Sequence, residues 1–235
     1  MNKKIAVISS YSTDRLIEAK TGVVLKEQSG GPALFITKAL TKMNVDATVY
    51  AGEPLLVEMA IHEDEEYGII RQQSTPQSFP LPNTDVTIFS TILREWTLDN
   101  IHNYKGKIFL DIQGYVRDGS DFGKKQIWKD AGQYADAIFC LKGNEVEMQY
   151  IPVDVLHKQK QQRMVITTLD REGVQIDYKG KSTKVTPKEV IKPPNTIGAG
   201  DTFFANFVGK FVQTGDLEYS ANHALLQTSE YLRNL

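Results

Sequence analysis

The sequence has one cysteine, little net charge and no long apolar run. The lone Cys140 excludes an internal disulfide and is typical of a protein in the reducing cytoplasm. The formal net charge of −2 provides no electrostatic attraction to nucleic acid or to an anionic membrane. No apolar run approaches the ~20 residues that span a bilayer, and the run at residues 5–8 is too short for the apolar core of a signal peptide. We therefore expect a cytoplasmic protein that has neither nucleic acid nor a membrane as a partner.

The composition and the pattern of apolar runs favour one α/β domain. An apolar share of 41% and a charged share of 24% over 235 residues are ordinary for a globular chain of this length. Short β-branched runs at residues 5–8 and 86–89 have the character of strands that are buried on both faces. From residue 86 onward such runs alternate with helical patterns, which is typical of βα units around a parallel sheet. We predict a single domain over residues 1–235.

The most informative stretch is residues 195–203, which read Asn-Thr-Ile-Gly-Ala-Gly-Asp-Thr-Phe. An apolar run at helical spacing follows the two glycines, so Gly198 and Gly200 lie where a loop becomes a helix. The first N–H groups of a helix are unpaired and carry positive partial charge, and glycines let them approach an anion such as phosphate. Asp201 beside them could act as a base on a hydroxyl, or it could simply cap the helix.

The same stretch resembles the signature of the ribokinase-like (PfkB) carbohydrate kinase family, commonly Asp-Thr-x-Gly-Ala-Gly-Asp followed by Thr or Ser and Phe. The first residue departs from this pattern, since Asn195 stands where Asp is usual. The resemblance implies that Gly198, Ala199 and Gly200 form an anion hole and that Asp201 is the catalytic base. It also implies a three-layer α/β/α sandwich with a mostly parallel central sheet and a small β lid.

Acceptor-binding residues are implied by the matches near the N-terminus and after a later strand. The resemblance places the lid at about residues 12–28, assigns Asp14 to the substrate hydroxyls, and uses Gly30 and Gly31 to let backbone approach the substrate. Asp111 closes a strand before a glycine, which is a ligand-edge arrangement, although it could equally cap the turn.

Donor-binding residues are implied by three further segments. Asn144 and Glu147 match the Asn-x-x-Glu motif that the resemblance associates with Mg²⁺, but the same spacing is that of a helix capping box. The resemblance implies ATP and Mg²⁺ as cofactors and admits a monovalent cation. The positions that it assigns to nucleotide binding are Thr168, Asp170, Gly173, Thr196 and Asn222, of which Asp170 replaces a usual glycine and Asn222 could instead lie on a solvated helix face.

The acceptor is less well defined by the sequence. Phe35 stands where many sugar kinases of the family have an acceptor-binding Asn, so the substrate or its pose differs, or Phe35 is a core residue. The Asp-Ile-Gln-Gly segment at residues 111–114 resembles the inositol-kinase branch of the family more than it resembles ribokinase itself. We predict an ATP-dependent kinase that phosphorylates a hydroxyl of a small sugar or polyol such as myo-inositol. A homodimer is a possible assembly of this kinase. The alternatives are a non-catalytic nucleotide- or metabolite-binding protein, and a nucleoside or vitamin-precursor kinase.

Overall fold

The computed structural model describes residues 3–18, 20–62, 65–72, 75–193 and 195–235. In chain order its strands are β1 (Ile5–Ser9), β2 (Ser12–Ile17), β3 (Val24–Gly30), β4 (Ala47–Ala51), β5 (Leu55–His62), β6 (Glu65–Gln72), β7 (Gln77–Ser78), β8 (Val86–Ser90), β9 (Trp96–Thr97), β10 (Lys107–Asp111), β11 (Arg117–Asp118), β12 (Asp121–Lys125), β13 (Ile138–Asn144), β14 (Met164–Thr168), β15 (Val174–Tyr178) and β16 (Lys181–Val185). Its α-helices are α1 (Pro32–Lys42), α2 (Gln113–Val116), α3 (Ala131–Tyr134), α4 (Glu145–Met148), α5 (Val153–Gln162), α6 (Ala199–Thr214) and α7 (Leu217–Arg233).

The central sheet has eight strands in the order β16-β15-β14-β13-β10-β8-β1-β4. The strands from β14 to β4 in this order are parallel, and β15 and β16 add an antiparallel hairpin at one edge. All five residues of β1 and of β8 are buried, as expected of parallel strands that are covered on both faces.

Helices cover both faces of this sheet. One core cluster joins α1, α6 and α7 to one face, through residues such as Ile36, Phe204 and Ala224. A second cluster joins the segments around α2 to α5 to the other face, through residues such as Trp128 and Val155. The predicted three-layer α/β/α sandwich with a mostly parallel central sheet is confirmed. Among the described residues, none of the helices is both long and apolar enough to cross a membrane.

A smaller sheet with the order β3-β2-β5-β6 lies near the carboxyl ends of the central strands. The segment predicted as a lid, residues 12–28, contributes β2 and most of β3. The other two strands are β5 and β6. An apolar cluster of Leu55, Val57, Met59 and Ile92 packs between this sheet and the loop after β8.

Strand register gathers polar residues at one edge of the central sheet. Ser9 of β1 pairs with Ser90 of β8, and Asp111 of β10 pairs with Lys142 of β13. On each strand the residue two positions earlier is an apolar one that packs with α1, α6 and α7. Side chains alternate between the two faces of a strand, so the four polar side chains lie on this same face, towards the start of α6. Ligands in open α/β sheets bind outside the carboxyl ends of the strands, and this edge is therefore where a site is expected.

Candidate active site

A cavity of about 480 Å³ lies at this edge, between the central sheet, the smaller sheet and the start of α6. Most of the residues that the sequence assigned to a site line it: Asp14, Gly31, Asn144, Glu147, Thr168, Asp170, Gly173, Thr196, Gly198, Ala199, Gly200 and Asp201. Three of the assigned residues, Gly30, Asp111 and Asn222, lie outside its wall.

The chain enters α6 through a tight turn. Gly198 has φ 79° and ψ −2°, the values of the third residue of a type II turn, and the N–H of Ala199 closes the turn on the carbonyl of Thr196 at 3.0 Å. A Cβ at Gly198 would lie 2.4 Å from the ring of Phe35, so only glycine fits here. The N–H groups of Gly200 and Asp201 follow at the start of the helix and have no acceptor among the described residues. They are suited to binding an anion.

Asp201 is the carboxylate next to these N–H groups. One of its oxygens accepts a hydrogen bond from the Ser90 hydroxyl at 3.2 Å. The pKa of Asp201 is raised to about 7, chiefly by burial. The Lys142 ammonium opposes this shift, and the charge of Asp111 adds to it. A carboxylate that titrates near neutral pH can accept a proton from a hydroxyl more effectively than an ordinary exposed one.

Lys142, which sequence reasoning missed, lies directly behind the start of α6. Its ammonium is 2.6 Å from the Asp111 carboxylate, and both side chains are buried. Burial opposes the charge on Lys142, but the carboxylates of Asp111, Glu147 and Asp201 outweigh it, so the pKa of Lys142 is raised. A Cβ at Gly200 would lie 3.1 Å from this ammonium. The only sequence signal for the pair was a Lys and an Asp at the carboxyl ends of two buried strands.

The cavity wall formed by the smaller sheet contains a buried carboxylate. Asp14, on β2, accepts a hydrogen bond from the Ser12 hydroxyl at 2.5 Å. A Cβ at Gly30, on the paired strand β3, would lie 1.8 Å from an Asp14 oxygen, so this glycine makes room for the carboxylate. Gly31, with φ 86°, lies on the cavity wall itself.

Val57, the register partner of Asp14, brings an apolar side chain to the same part of the cavity. Val57 and Met59 of β5 line the cavity together with Ile92 and the half-buried Phe35. Polar groups on the same part of the wall come from Gln113 and from Arg117 and Lys125 of the β11–β12 hairpin, each of the two cations having a further interaction in the structure. Phe35 therefore faces the cavity and supports Gly198, instead of lying deep in the core.

Asn144 and Glu147 form a capping box at the start of α4. The Asn144 side chain accepts from the N–H of Glu147 at 2.7 Å, and a Glu147 oxygen accepts from the N–H of Asn144 at 2.8 Å. Among the described residues, no group of three His, Cys, Asp or Glu could hold a metal. Mg²⁺ keeps most of its waters and needs only one or two carboxylates besides phosphates, so the buried Glu147 on the cavity wall fits a water-mediated ion.

A second cavity, of about 460 Å³, adjoins the first, and the two share six lining residues: Asp170, Thr196, Ile197, Leu225, Thr228 and Leu232. Its apolar wall consists of Pro187, Val190, Ile191, Leu225 and Leu232. Asp170 adopts φ 48° at the boundary, and its side chain is largely exposed. Asn222, assigned to the nucleotide, is exposed and donates to the carbonyl of Glu218 on its own helix. The side of α7 that reaches this cavity carries Leu225, Thr228, Ser229 and Leu232.

Comparison with protein families supports the resemblance seen in the sequence. Residues 138–226, which include β13, β14 and the α6 signature, match the model of the pfkB family carbohydrate kinases. A search of the curated proteins finds no match to the sequence.

Solved structures share the fold over nearly the whole chain. A pyrophosphate-dependent kinase in the ribokinase family, complexed with a pyrophosphate analog and myo-inositol, superposes with a TM-score of 0.76 at 17% identity, covering 97% of this chain and 95% of that one. Arabidopsis thaliana ribokinase complexed with ribose and ATP has a TM-score of 0.71 at 16% identity, covering 99% and 93%. Methanocaldococcus jannaschii nucleoside kinase has a TM-score of 0.68 at 14% identity, covering 98% and 92%. The fold is therefore ribokinase-like, as the sequence predicted.

Proposed function

We propose that this ribokinase-like chain transfers the terminal phosphoryl group of ATP to a hydroxyl of a small sugar or polyol. The observation that carries the proposal is the position of Asp201. This carboxylate lies beside the N–H groups of Gly200 and of Asp201 itself, which have no acceptor among the described residues. It is 3.2 Å from the Ser90 hydroxyl, in the cavity that also contains Asp14. A base, an anion-binding helix start and an acceptor-binding carboxylate then face one space.

In the proposed reaction Asp201 accepts the proton of the acceptor hydroxyl. The hydroxyl oxygen forms a bond to the γ-phosphorus, the bond from that phosphorus to the β–γ bridging oxygen breaks, and ADP leaves. Negative charge on the transferred group is stabilised by the helix N–H groups and by the Lys142 ammonium behind Gly200. Asp111 keeps Lys142 charged and fixes its position at 2.6 Å. Asp14 orients the acceptor by accepting from its other hydroxyls.

Glu147, through water, and the neighbouring Asn144 are the residues that would hold Mg²⁺. The ion, when bound, neutralises charge on the donor phosphates. The capping box does not exclude this role, because it uses only one Glu147 oxygen, and the other accepts no hydrogen bond from the residues that the structure describes. The N–H bond fixes the carboxylate at the cavity wall.

The second cavity supports a nucleotide as the donor. Its apolar wall of Val190, Ile191, Leu225 and Leu232 adjoins the phosphate end of the first cavity and has room for a flat base. Pyrophosphate would leave this space unfilled. The test must nevertheless include pyrophosphate as a donor, because one of the superposed kinases is pyrophosphate-dependent.

A second candidate acceptor class is favoured by the wall of Phe35, Val57, Met59 and Ile92. A hydroxyl turned towards these side chains loses its hydrogen bonds to water without replacement, which costs free energy. An acceptor with one apolar face, such as a nucleoside or a vitamin precursor with a hydroxymethyl group, avoids this cost. A fully hydroxylated ring such as myo-inositol must place its hydroxyls on Asp14, Gln113 and the hairpin cations instead.

The test is a matrix of two donors and several acceptors. ATP·Mg²⁺ and pyrophosphate·Mg²⁺ are each incubated with myo-inositol, ribose, fructose, adenosine and a hydroxymethyl pyrimidine, and phosphorylated product is measured. The proposal predicts turnover with ATP and at least one acceptor. Turnover with pyrophosphate alone would contradict the nucleotide donor, and ATP binding without turnover on any acceptor would favour the non-catalytic alternative.

A further inference from the structure

The turn before α6 is held by a tyrosine from the last helix. The hydroxyl of Tyr231, on α7, donates to the carbonyl of Ile197 at 2.6 Å. Ile197 and Gly198 are the two central residues of the type II turn that Ala199 closes on Thr196. The Tyr231 ring meets the ring of Phe35 edge to face, with centroids 6.1 Å apart.

The orientation of the peptide between Ile197 and Gly198 decides whether an N–H group or a carbonyl oxygen faces the anion site. In a trans peptide the carbonyl and the N–H point in opposite directions. With the Ile197 carbonyl on Tyr231, the N–H of Gly198 points away from Tyr231, and it has no acceptor among the described residues. Type I and type II turns differ by a flip of this central peptide. The flip would turn the Ile197 carbonyl oxygen to the side where Gly198 now presents its N–H.

We propose that Tyr231 is a positioning residue that holds the Ile197–Gly198 peptide in the orientation that adds the Gly198 N–H to the anion site. Phe35, in contact with the Tyr231 ring, packs against the same turn, because its ring occupies the space where a Cβ of Gly198 would lie. The aromatic residue at the position of the usual acceptor-binding Asn therefore belongs to the support of the anion site. A half-buried tyrosine near Asp201 also keeps its proton, since burial and then the Asp201 charge raise the pKa of Tyr231 to about 12, so it remains a donor throughout the neutral range.

The test is Tyr231→Phe, which keeps the ring against Phe35 and removes only the hydroxyl. The matched control is Tyr219→Phe, on the exposed side of the same helix. For the kinetic measurement the inference rests on the proposed kinase activity. One hydrogen bond of ordinary strength corresponds to about a three- to tenfold fall in kcat, with the KM of the acceptor nearly unchanged and the melting temperature lowered by only a few degrees. The control should match the wild type.

A second readout does not depend on activity. In a type II turn the Cα proton of Ile197 lies close to the N–H proton of Gly198, and a flip of the peptide between them moves the two protons apart. The nuclear Overhauser effect (NOE) between these protons, measured by NMR, therefore reports the orientation of the peptide. A weaker NOE in Tyr231→Phe, with the NOEs along α7 unchanged, is the expected result. An unchanged NOE would overturn the inference whether or not the chain proves to be a kinase. A weaker NOE that is accompanied by faster amide exchange throughout α7 would also overturn it, because it would show a general packing role.

Discussion

The ammonium of Lys142 lies 2.6 Å from the carboxylate of Asp111, and the two side chains are 6% and 0% exposed. The pair occupies the carboxyl ends of two neighbouring central strands, directly behind the first turn of α6. An ion pair so deeply buried is weak support for stability by itself, because desolvation offsets much of the attraction. Its position behind Gly200, in contact with the cavity, is what gives it a place in the proposed chemistry.

Breaking this pair from one side should be more harmful than removing both charges. Lys142→Met leaves Asp111 buried without its partner, and we expect a loss of about 3–5 kcal/mol in the free energy of unfolding. Lys142→Met combined with Asp111→Asn should recover most of that loss, yet kcat should stay at least about tenfold low because the ammonium is absent. Denaturant titration and initial rates measure the two effects. Recovery of kcat in the double variant would contradict the role of Lys142.

The rate should report the titration of Asp201. Because only the ionised carboxylate can accept a proton, kcat/KM should fall below a pH of about 7, the value to which burial raises its pKa. Removing the Ser90 hydroxyl, which stabilises the charged form, should move this acid limb to higher pH. The control is Ser9→Ala, since Ser9 is the register partner of Ser90 and its hydroxyl is buried without a partner among the described residues. An acid limb that stays in place in Ser90→Ala would argue against Asp201 as the titrating group.

The same pKa predicts how stability depends on pH. The folded chain holds the Asp201 proton up to a pH of about 7, whereas the unfolded chain releases it near the ordinary value of 3.8. The folded state therefore binds more protons between these values, and its stability falls as the pH rises through this window. Asp201→Asn removes the effect, so its melting temperature should exceed that of the wild type by a few degrees above pH 7 and match it near pH 4.

The control for this experiment is Glu53→Gln, an exposed carboxylate in the loop between β4 and β5. Its melting temperature should follow that of the wild type at every pH. If Asp201→Asn shows a constant difference from pH 4 to pH 8, the carboxyl does not carry a raised pKa in the folded state.

Two glycines with similar backbone angles allow a matched comparison. Gly198 and Gly215 have φ of 79° and 70°, but a Cβ would meet Phe35 at 2.4 Å in the first and open space in the second. Gly215→Ala should therefore lower the free energy of unfolding only by the cost of placing alanine in the left-handed conformation, about 1–2 kcal/mol. It should leave kcat unchanged. Gly198→Ala should cost more and lower kcat at least about tenfold, since Phe35 and the turn must move. Equal effects of the two substitutions on stability and on kcat would show that the Phe35 contact has no role.

Much of the fold could be predicted from the sequence because local signals agreed. The buried β-branched runs indicated parallel strands, and the glycines before an apolar helical run indicated the entry to α6 near Gly198. The smaller sheet was only half predicted, since β5 and β6 alternate weakly and β5 pairs with β2, a contact that is remote in sequence. Periodicity gives no information on which remote strands pair.

The site was predicted where a motif fixes the local backbone and missed where it depends on contacts between distant elements. Asp201 and the residues around it follow from one short stretch. Lys142 could not be distinguished from any lysine at a strand end until its pairing with Asp111 was seen. Tyr231 could not be distinguished from other residues of the last helix until its contact with the Ile197 carbonyl was seen. The sequence assigned Asp111 to substrate binding. In the structure its carboxylate accepts hydrogen bonds from the Lys142 ammonium and from the N–H of Gln113.

The central claim is that Asp201 accepts the proton of the acceptor hydroxyl, and the most direct measurement is kcat for the wild type and Asp201→Asn with ATP·Mg²⁺ and the best acceptor. Removing a general base typically lowers the rate by ~10²–10⁴-fold. We predict a loss of that size, with the dissociation constant for ATP within a few-fold of the wild-type value. An Asp201→Asn enzyme that keeps kcat within tenfold of the wild type would contradict the account.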